Sequence, residues 1–538
     1  MMLHSRSILA PLALLGFVSG ACDDPSVEMF FDESDAGSAE FRDTAYAEDP
    51  ALEGPHCTMW EDFDRPATRT EPAIEGRIFW PVDCVAGMPI MNTPLVVFHE
   101  GNGGFPVYYD KETFGPLGEH LASHGFAFAV VDYVIGGPSV AQIHARAQAS
   151  VDYMLHVFDQ WHSAYALDSQ SIVMAGLSQG GEAAIVAAKK VVQQALPYEV
   201  RGVVSLAPTH VESTSLSYEE SPFFMGIYGS NDEDVSGFLL EDPAAEPQEP
   251  QSTVFAHYDE FGAEASPIFW SSITKSMKFV HGWNHNRFSA NPGDGPSPQM
   301  LATAGYINAA LRWQLWGQDE FEPWVVDNLL PPSADDGKWT PYTQYQSGLW
   351  QSRRVIDNFE GATLETSTIG GAVSVFGAGD VDYGESAFTV DQSVPHGNTQ
   401  VLVMEPVAFG EHIVWEIPAN VQDMSHYEVL SIRAGKIVDY GQPGSVSLTF
   451  RLKADGVWSD FIDTAEYTEI PEPDPVYISF PKDPPWHGMY TKSPMVTVRI
   501  PLDDFDVDPT QVEEIEMHYA GFNEIGTRWM IDNLEFSK

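Results

Sequence analysis

The stretch VMAGLSQGGEAA, residues 173–184, runs from an apolar segment through a serine set among glycines into an alanine-rich segment. Its surroundings, SIVMAGLS (171–178) and EAAIVAAKKVVQQAL (182–196), read as a strand and a helix. The same alternation continues on either side. PLVVFHE (94–100), FAFAVVDY (126–133), RGVVSLAP (201–208), FFMGIYG (223–229) and MKFVHG (277–282) are apolar runs of strand length. VAQIHARAQASVDYMLHVFDQW (140–161) and MLATAGYINAALRWQLW (300–316) carry helical periodicity. Strands that are continuously apolar, rather than alternating, are buried on both faces. The expected fold class is therefore α/β, a mostly parallel sheet covered by helices on both faces.

Ser178 lies in Gly176-Leu177-Ser178-Gln179-Gly180, the one G-x-S-x-G of the chain. In a strand–turn–helix setting this pattern makes a sharp elbow. Gly176, Gly180 and Gly181 relieve the crowding, and the serine projects above the sheet edge at a helix N-terminus. A glycine-rich turn with a solvent-facing serine would share the pattern, so the decision rests on partners. A serine hydroxyl needs a base, and a base needs an orienting acid. In such a sheet both follow the serine, each beyond a later strand. SNDEDVSG after FFMGIYG offers Asp232 and, as a rival, Asp234; WNHNRFS after MKFVHG offers His285. The order serine, acid, histidine is met. Oxyanion donors are expected from the amide of Gln179 and from the loop HEGNGGF (99–105), at Gly101 and Asn102.

Metal readings of the same segments are weaker. DEDVSG (232–237) imitates the start of a calcium loop, but Pro243 stands where the bidentate glutamate belongs. His281 and His285 have i, i+4 spacing, but Gly282 and two asparagines oppose a helix, and no glutamate follows His281. His99 reads as a structural hydrogen-bonding group at a strand end. No metal or cofactor is expected.

Lys and Arg number 26 against 78 Asp and Glu, a formal charge of −52 that disfavours nucleic acid and anionic membranes as partners. The apolar run ILAPLALLGFV (8–18), preceded by Arg6 and followed by SGAC, reads as an export signal spanning residues 1–21. It resembles a bacterial lipoprotein signal, which implies acylation of Cys22, with Ser19 departing from the usual leucine; plain secretion is the other reading. Membrane association is expected only through that lipid. Cys57 and Cys84 are then free to pair in an oxidising compartment, the alternative being two unrelated buried thiols.

Residues 75–316 resemble α/β-hydrolases of the dienelactone-hydrolase and polyester-hydrolase (cutinase-like) type. The likeness is carried by PLVVFHEGNGG, LGEHLASHGFAFAVVDY, VMAGLSQGGEAA, IYGSNDEDV and GWNHNRFS. It implies Ser178 as nucleophile, His285 as base and Asp232 as acid. Glu100 and Asn102 depart from the glycine or aromatic of many relatives, and an acidic segment (238–267) separates acid from histidine.

The further organisation is read from texture. Residues 22–55 are acidic and aperiodic, a flexible tether; 56–317 form the catalytic domain and 318–354 a linker. Residues 355–538 show short alternating strands, as in SVSLTFRLKA and MVTVRIPL, an all-β jelly-roll or sandwich texture. From VIDNFEG to WMIDNLEFSK this segment resembles the galactose-binding-like jelly rolls that serve as carbohydrate-binding modules. Trp415, Trp458, Trp486 and Trp529 could stack on sugar rings or belong to the core, Trp458 and Trp486 being the better surface candidates. The expected function is an exported serine carboxylic-ester hydrolase acting on a polymeric or glycan-attached ester. The alternatives are an acyl-chain or phospholipid acetylhydrolase-like esterase and a non-catalytic surface-binding protein.

Overall fold

The computed structural model describes residues 48–66, 73–101, 111–132, 139–211, 223–232, 235, 254–261, 273–290, 295–348, 352–361, 363–389, 394–437, 447–478, 488–519 and 527–538. The leader, Cys22, Asn102, Asp234 and Trp486 lie outside them.

A nine-stranded mixed sheet organises the first part. In chain order its strands are β1 (Cys57–Arg65), β2 (Ile74–Val82), β3 (Thr93–His99), β4 (Ala127–Asp132), β5 (Leu167–Leu177), β6 (Val200–Leu206), β7 (Phe223–Gly229), β8 (Lys275–Val280) and β9 (Pro341–Gln346). Spatially they run β1-β2-β4-β3-β5-β6-β7-β8-β9. The block from β4 to β8 is parallel, with antiparallel strands at either end. The helices are α1 (Gly115–Ser123), α2 (Val140–Tyr165), α3 (Gln179–Gln193), α4 (Val254–Glu260), α5 (Pro298–Trp316) and α6 (Glu322–Val326).

Every residue of β3, β7 and β8 is buried, which requires cover on both faces because successive side chains point opposite ways. On one face Phe79 of β2 packs where a Cβ on Gly118 of α1 would sit; on the other, Gly76 makes room for Tyr153 of α2. Helix starts follow local chemistry. Ser139 and Gln142 form a reciprocal capping box on α2, and Ser297 caps α5 ahead of Pro298.

The tether and linker readings need correction at their ends. Residues 48–55 are docked: Ala51 is in the core, and the Pro50 carbonyl accepts from Asn308 at 2.9 Å and lies 3.0 Å from His120 Nε2. Within 318–354, α6 packs beside β9, and β9 pairs with β8 as the last strand of the mixed sheet, which therefore extends to Gln346 rather than ending at 317. β9 is polar (PYTQYQ) yet buried, and Thr343 on it is satisfied: its Oγ1 accepts from Lys278 and donates to the Asp327 carbonyl.

The second part is antiparallel. Its strands are β10 (Arg353–Asp357), β11 (Val373–Phe376), β12 (Asp380–Thr389), β13 (Val394–Glu405), β14 (His412–Glu416), β15 (Val429–Ile437), β16 (Thr449–Ala454), β17 (Val457–Trp458), β18 (Ile462–Asp463), β19 (Asp474–Ile478), β20 (Gly488–Lys492), β21 (Met495–Pro501), β22 (Val512–His518) and β23 (Arg528–Ser537). One sheet runs β19-β20-β12-β13-β23-β15-β21 with β10 on β23; the other runs β11-β14-β22-β16-β17 with β18 on β16. Ile432, Val498 and Ile531 from the first meet Trp415, Phe450 and Ile515 from the second in one buried core. Trp415 and Trp529 are buried there and are not sugar-stacking surfaces. Trp458 is half-buried, with the Arg451 guanidinium 4.4 Å from its ring.

Cys57 and Cys84 form a disulfide that ties the start of β1 to the turn after β2. Among the described residues no helix is long and apolar enough to cross a membrane.

Candidate active site

The parallel strands deliver the site residues to one edge of the sheet. Leu177 at the end of β5 is in register with Leu206, Leu206 with Ile227, and Gly229 with Val280. The loops after β5, β7 and β8 therefore leave the same edge, carrying Ser178, Asp232 and His285 respectively.

Ser178 stands between β5 and α3 with φ 58° and ψ −125°, a left-handed backbone that a serine adopts only under constraint. The constraint is visible. The Ser178 N–H donates to the Leu206 carbonyl at 2.8 Å, and its carbonyl accepts from Gly181 at 2.9 Å and Thr209 at 3.2 Å. The crossing is too tight for side chains: a Cβ on Gly176 would lie 2.2 Å from the Gly180 carbonyl oxygen, and one on Gly180 2.2 Å from that of His99. The serine side chain does not cap α3. Gln179 is the first residue of that helix and is buried at its N-terminus.

His285 Nδ1 is 2.8 Å from Asp232 Oδ2, and both side chains are buried. A carboxylate only accepts, so Nδ1 carries a proton, and in the neutral ring Nε2 then holds the lone pair. Asp232 is itself fixed, its Oδ1 accepting from the Val235 N–H at 2.7 Å. The acid and histidine loops are zipped together: Asn231 N–H donates to the Trp283 carbonyl at 2.9 Å and Gly282 N–H to Ser230 Oγ at 2.9 Å. Gly229 permits this, since a Cβ there would be 2.2 Å from the Trp283 oxygen. Gln299 of α5 then clamps the backbone of Asn284 from both sides, at 3.2 and 2.8 Å.

Gly101 follows β3 and lies against the serine; a Cβ on it would be 3.0 Å from Ser178 Cβ and 3.7 Å from Ser178 Oγ. Buried Arg146 of α2 donates to the Gly101 carbonyl at 3.3 Å. His99 is buried with Nδ1 2.7 Å from the Glu100 carbonyl, and burial holds it neutral, with its pKa down to about 3. The calcium-loop reading of 232–237 falls mostly outside the described residues, and neither His281 nor His285 belongs to a three-residue ligand cluster among the described residues.

Several contributors escape a sequence reading. Glu182, in the first turn of α3, accepts from Thr209 Oγ1 and the Val211 N–H, both at 2.7 Å, and so holds the loop after β6 against the elbow. Its signal is an acid in a first helical turn, which the helix dipole alone explains. Arg146 and Gln299 carry no signal, because their partners are distant in the chain.

No protein-family model matches this chain, and a search of curated proteins finds no relative.

Proposed function

We propose that the protein is a serine carboxylic-ester hydrolase with an α/β-hydrolase first domain. The observation that carries this reading is the buried Asp232–His285 pair on the same sheet edge as a serine held at φ 58°. Gly101, between the third strand and the first helix, supports it, because that is where such folds draw their second oxyanion donor.

His285 Nε2 takes the Ser178 proton as Oγ attacks the ester carbonyl, and Asp232 stabilises the resulting imidazolium. The oxyanion is received by the amides of Gln179 and Gly101, the Gly101 carbonyl being held by Arg146; Asn102, the other donor expected, lies outside the described residues. His285 returns the proton to the departing alcohol, then activates the water that frees the acyl group.

The substrate side of the proposal is a polymeric or glycan-attached ester. It rests on the second, all-β part of the chain, read as a jelly roll that holds a glycan or polymer, with Trp458 as the stacking residue. The disulfide and the leader reading favour an exported protein, lipid-anchored through Cys22 or secreted.

The test pairs the parent with Ser178→Ala on p-nitrophenyl esters and a fluorophosphonate probe. The expected outcome is labelling confined to Ser178 and an approximately 10⁶-fold loss of kcat in the variant. A folded parent that neither labels nor hydrolyses any ester would make the non-catalytic surface-binding reading the correct one.

A further inference from the structure

We propose that His210, His257 and Glu260 form a binding site for a zinc-class divalent cation, on the loop after β6 and on α4. Their ligand atoms lie within 4.8 Å of one another. Shifts of about 1 Å would bring them onto a common sphere of the roughly 2.1 Å radius that zinc requires. His210 Nε2 already stands 2.9 Å from Glu260 Oε1, and the His210 and His257 ring centroids are 4.8 Å apart.

The orientation of His257 adds an independent argument. Its Nε2 lies 2.7 Å from the Thr209 carbonyl, which only accepts, so the ring proton is on Nε2 and Nδ1 carries the lone pair. Fixing one imidazole nitrogen on a backbone carbonyl is how proteins orient the other toward a metal. His257 is fully buried. His257 and Glu260 are three apart on α4, so they share a helix face and are presented together.

Two imidazoles and one carboxylate suit zinc and its neighbours; calcium and magnesium call for more oxygen. The site also has a structural consequence. Thr209 accepts from His257, donates its N–H to the Ser178 carbonyl and its hydroxyl to Glu182. A cation here pins α4 to the segment that braces the elbow. Binding does not depend on ester hydrolysis, so Ser178→Ala protein serves equally well.

The experiment uses the untagged full-length protein, stripped with EDTA and titrated with zinc chloride by calorimetry, with metal content measured by mass spectrometry and Tm recorded with and without zinc. One equivalent and a higher Tm are expected for the parent, with no saturable calcium binding. Glu260→Gln and His210→Asn, the latter at the less buried ligand, should each weaken zinc binding at least about tenfold while keeping the parent circular dichroism. Substituting cobalt should give visible bands in the parent that Glu260→Gln loses. Absence of stoichiometric uptake by folded parent overturns the site, as does uptake that both substitutions leave unchanged.

Discussion

At the residue scale, Ser178 holds a positive φ of 58°, and its neighbours keep it there. Four hydrogen bonds to its own N–H and C=O fix the turn, so the direction in which its Cβ leaves the backbone is set before any ligand arrives. The role proposed for Asp232 can be separated from that of Ser178. Asp232→Asn keeps the shape but offers an amide to His285, which favours the wrong tautomer. We expect kcat to fall about 10⁴-fold while KM and fold hold; an unchanged kcat would remove Asp232 from the reaction. That Ser178, Asp232 and His285 follow strands ending at one sheet edge was legible from their order and from the apolar runs before them. Arg146, Thr209, Glu182 and Gln299 were not, because each acts on a backbone group brought near only by sheet packing.

At the scale of elements, the elbow works because β3, β5 and α3 cross with no side chain between them. Gly180→Ala places a Cβ 2.2 Å from the His99 carbonyl oxygen, backbone against backbone, whereas Gly295→Ala meets nothing within 4 Å. Gly180→Ala should lose about 2 kcal/mol or more in urea unfolding, and Gly295→Ala should lie within about 0.5 kcal/mol of the parent. Equal stabilities would mean that the strands can part. The disulfide links residues 27 apart in sequence. On loop-closure entropy the Cys57→Ser, Cys84→Ser double variant should be about 3 to 4 kcal/mol less stable than the oxidised parent, with the difference vanishing under reductant. β9 shows the limit of pattern reading. PYTQYQ looks like linker, yet it completes the mixed sheet and is bonded to β21 through Tyr345 and Thr497.

On the scale of the whole molecule, buried neutral histidines and surface acidity govern stability. His120 is tied to Pro50 and burial pushes its pKa down to about 4; His99 and His257 are held at about 3. A depressed histidine pKa means that the unfolded chain binds the proton first. Its contribution is complete above about pH 6.5 and is lost as pH falls toward the folded value. His120→Gln should therefore flatten the fall in urea midpoint between about pH 6.5 and 4; a parallel decline would assign the acid sensitivity elsewhere. The net charge of −52 opposes compaction, so raising sodium chloride from about 0.1 to about 1 M should raise Tm. A falling Tm would show that salt weakens internal pairs, such as Arg433 with Asp259 and Asp532, more than it relieves repulsion.

The sequence by itself determined the parallel block, the elbow, the order of the site residues and the change to short alternating strands near residue 355. These properties are local: burial on both faces demands unbroken apolar runs, and a tight crossing demands glycine. Tertiary structure alone decided that residues 48–55 dock, that β9 joins the first sheet, and that Trp415 and Trp529 are core. It also alone brought His210 to His257 and Glu260. Each of these depends on where a distant partner lies, and a polar residue in sequence gives no sign of whether water or another side chain will satisfy it.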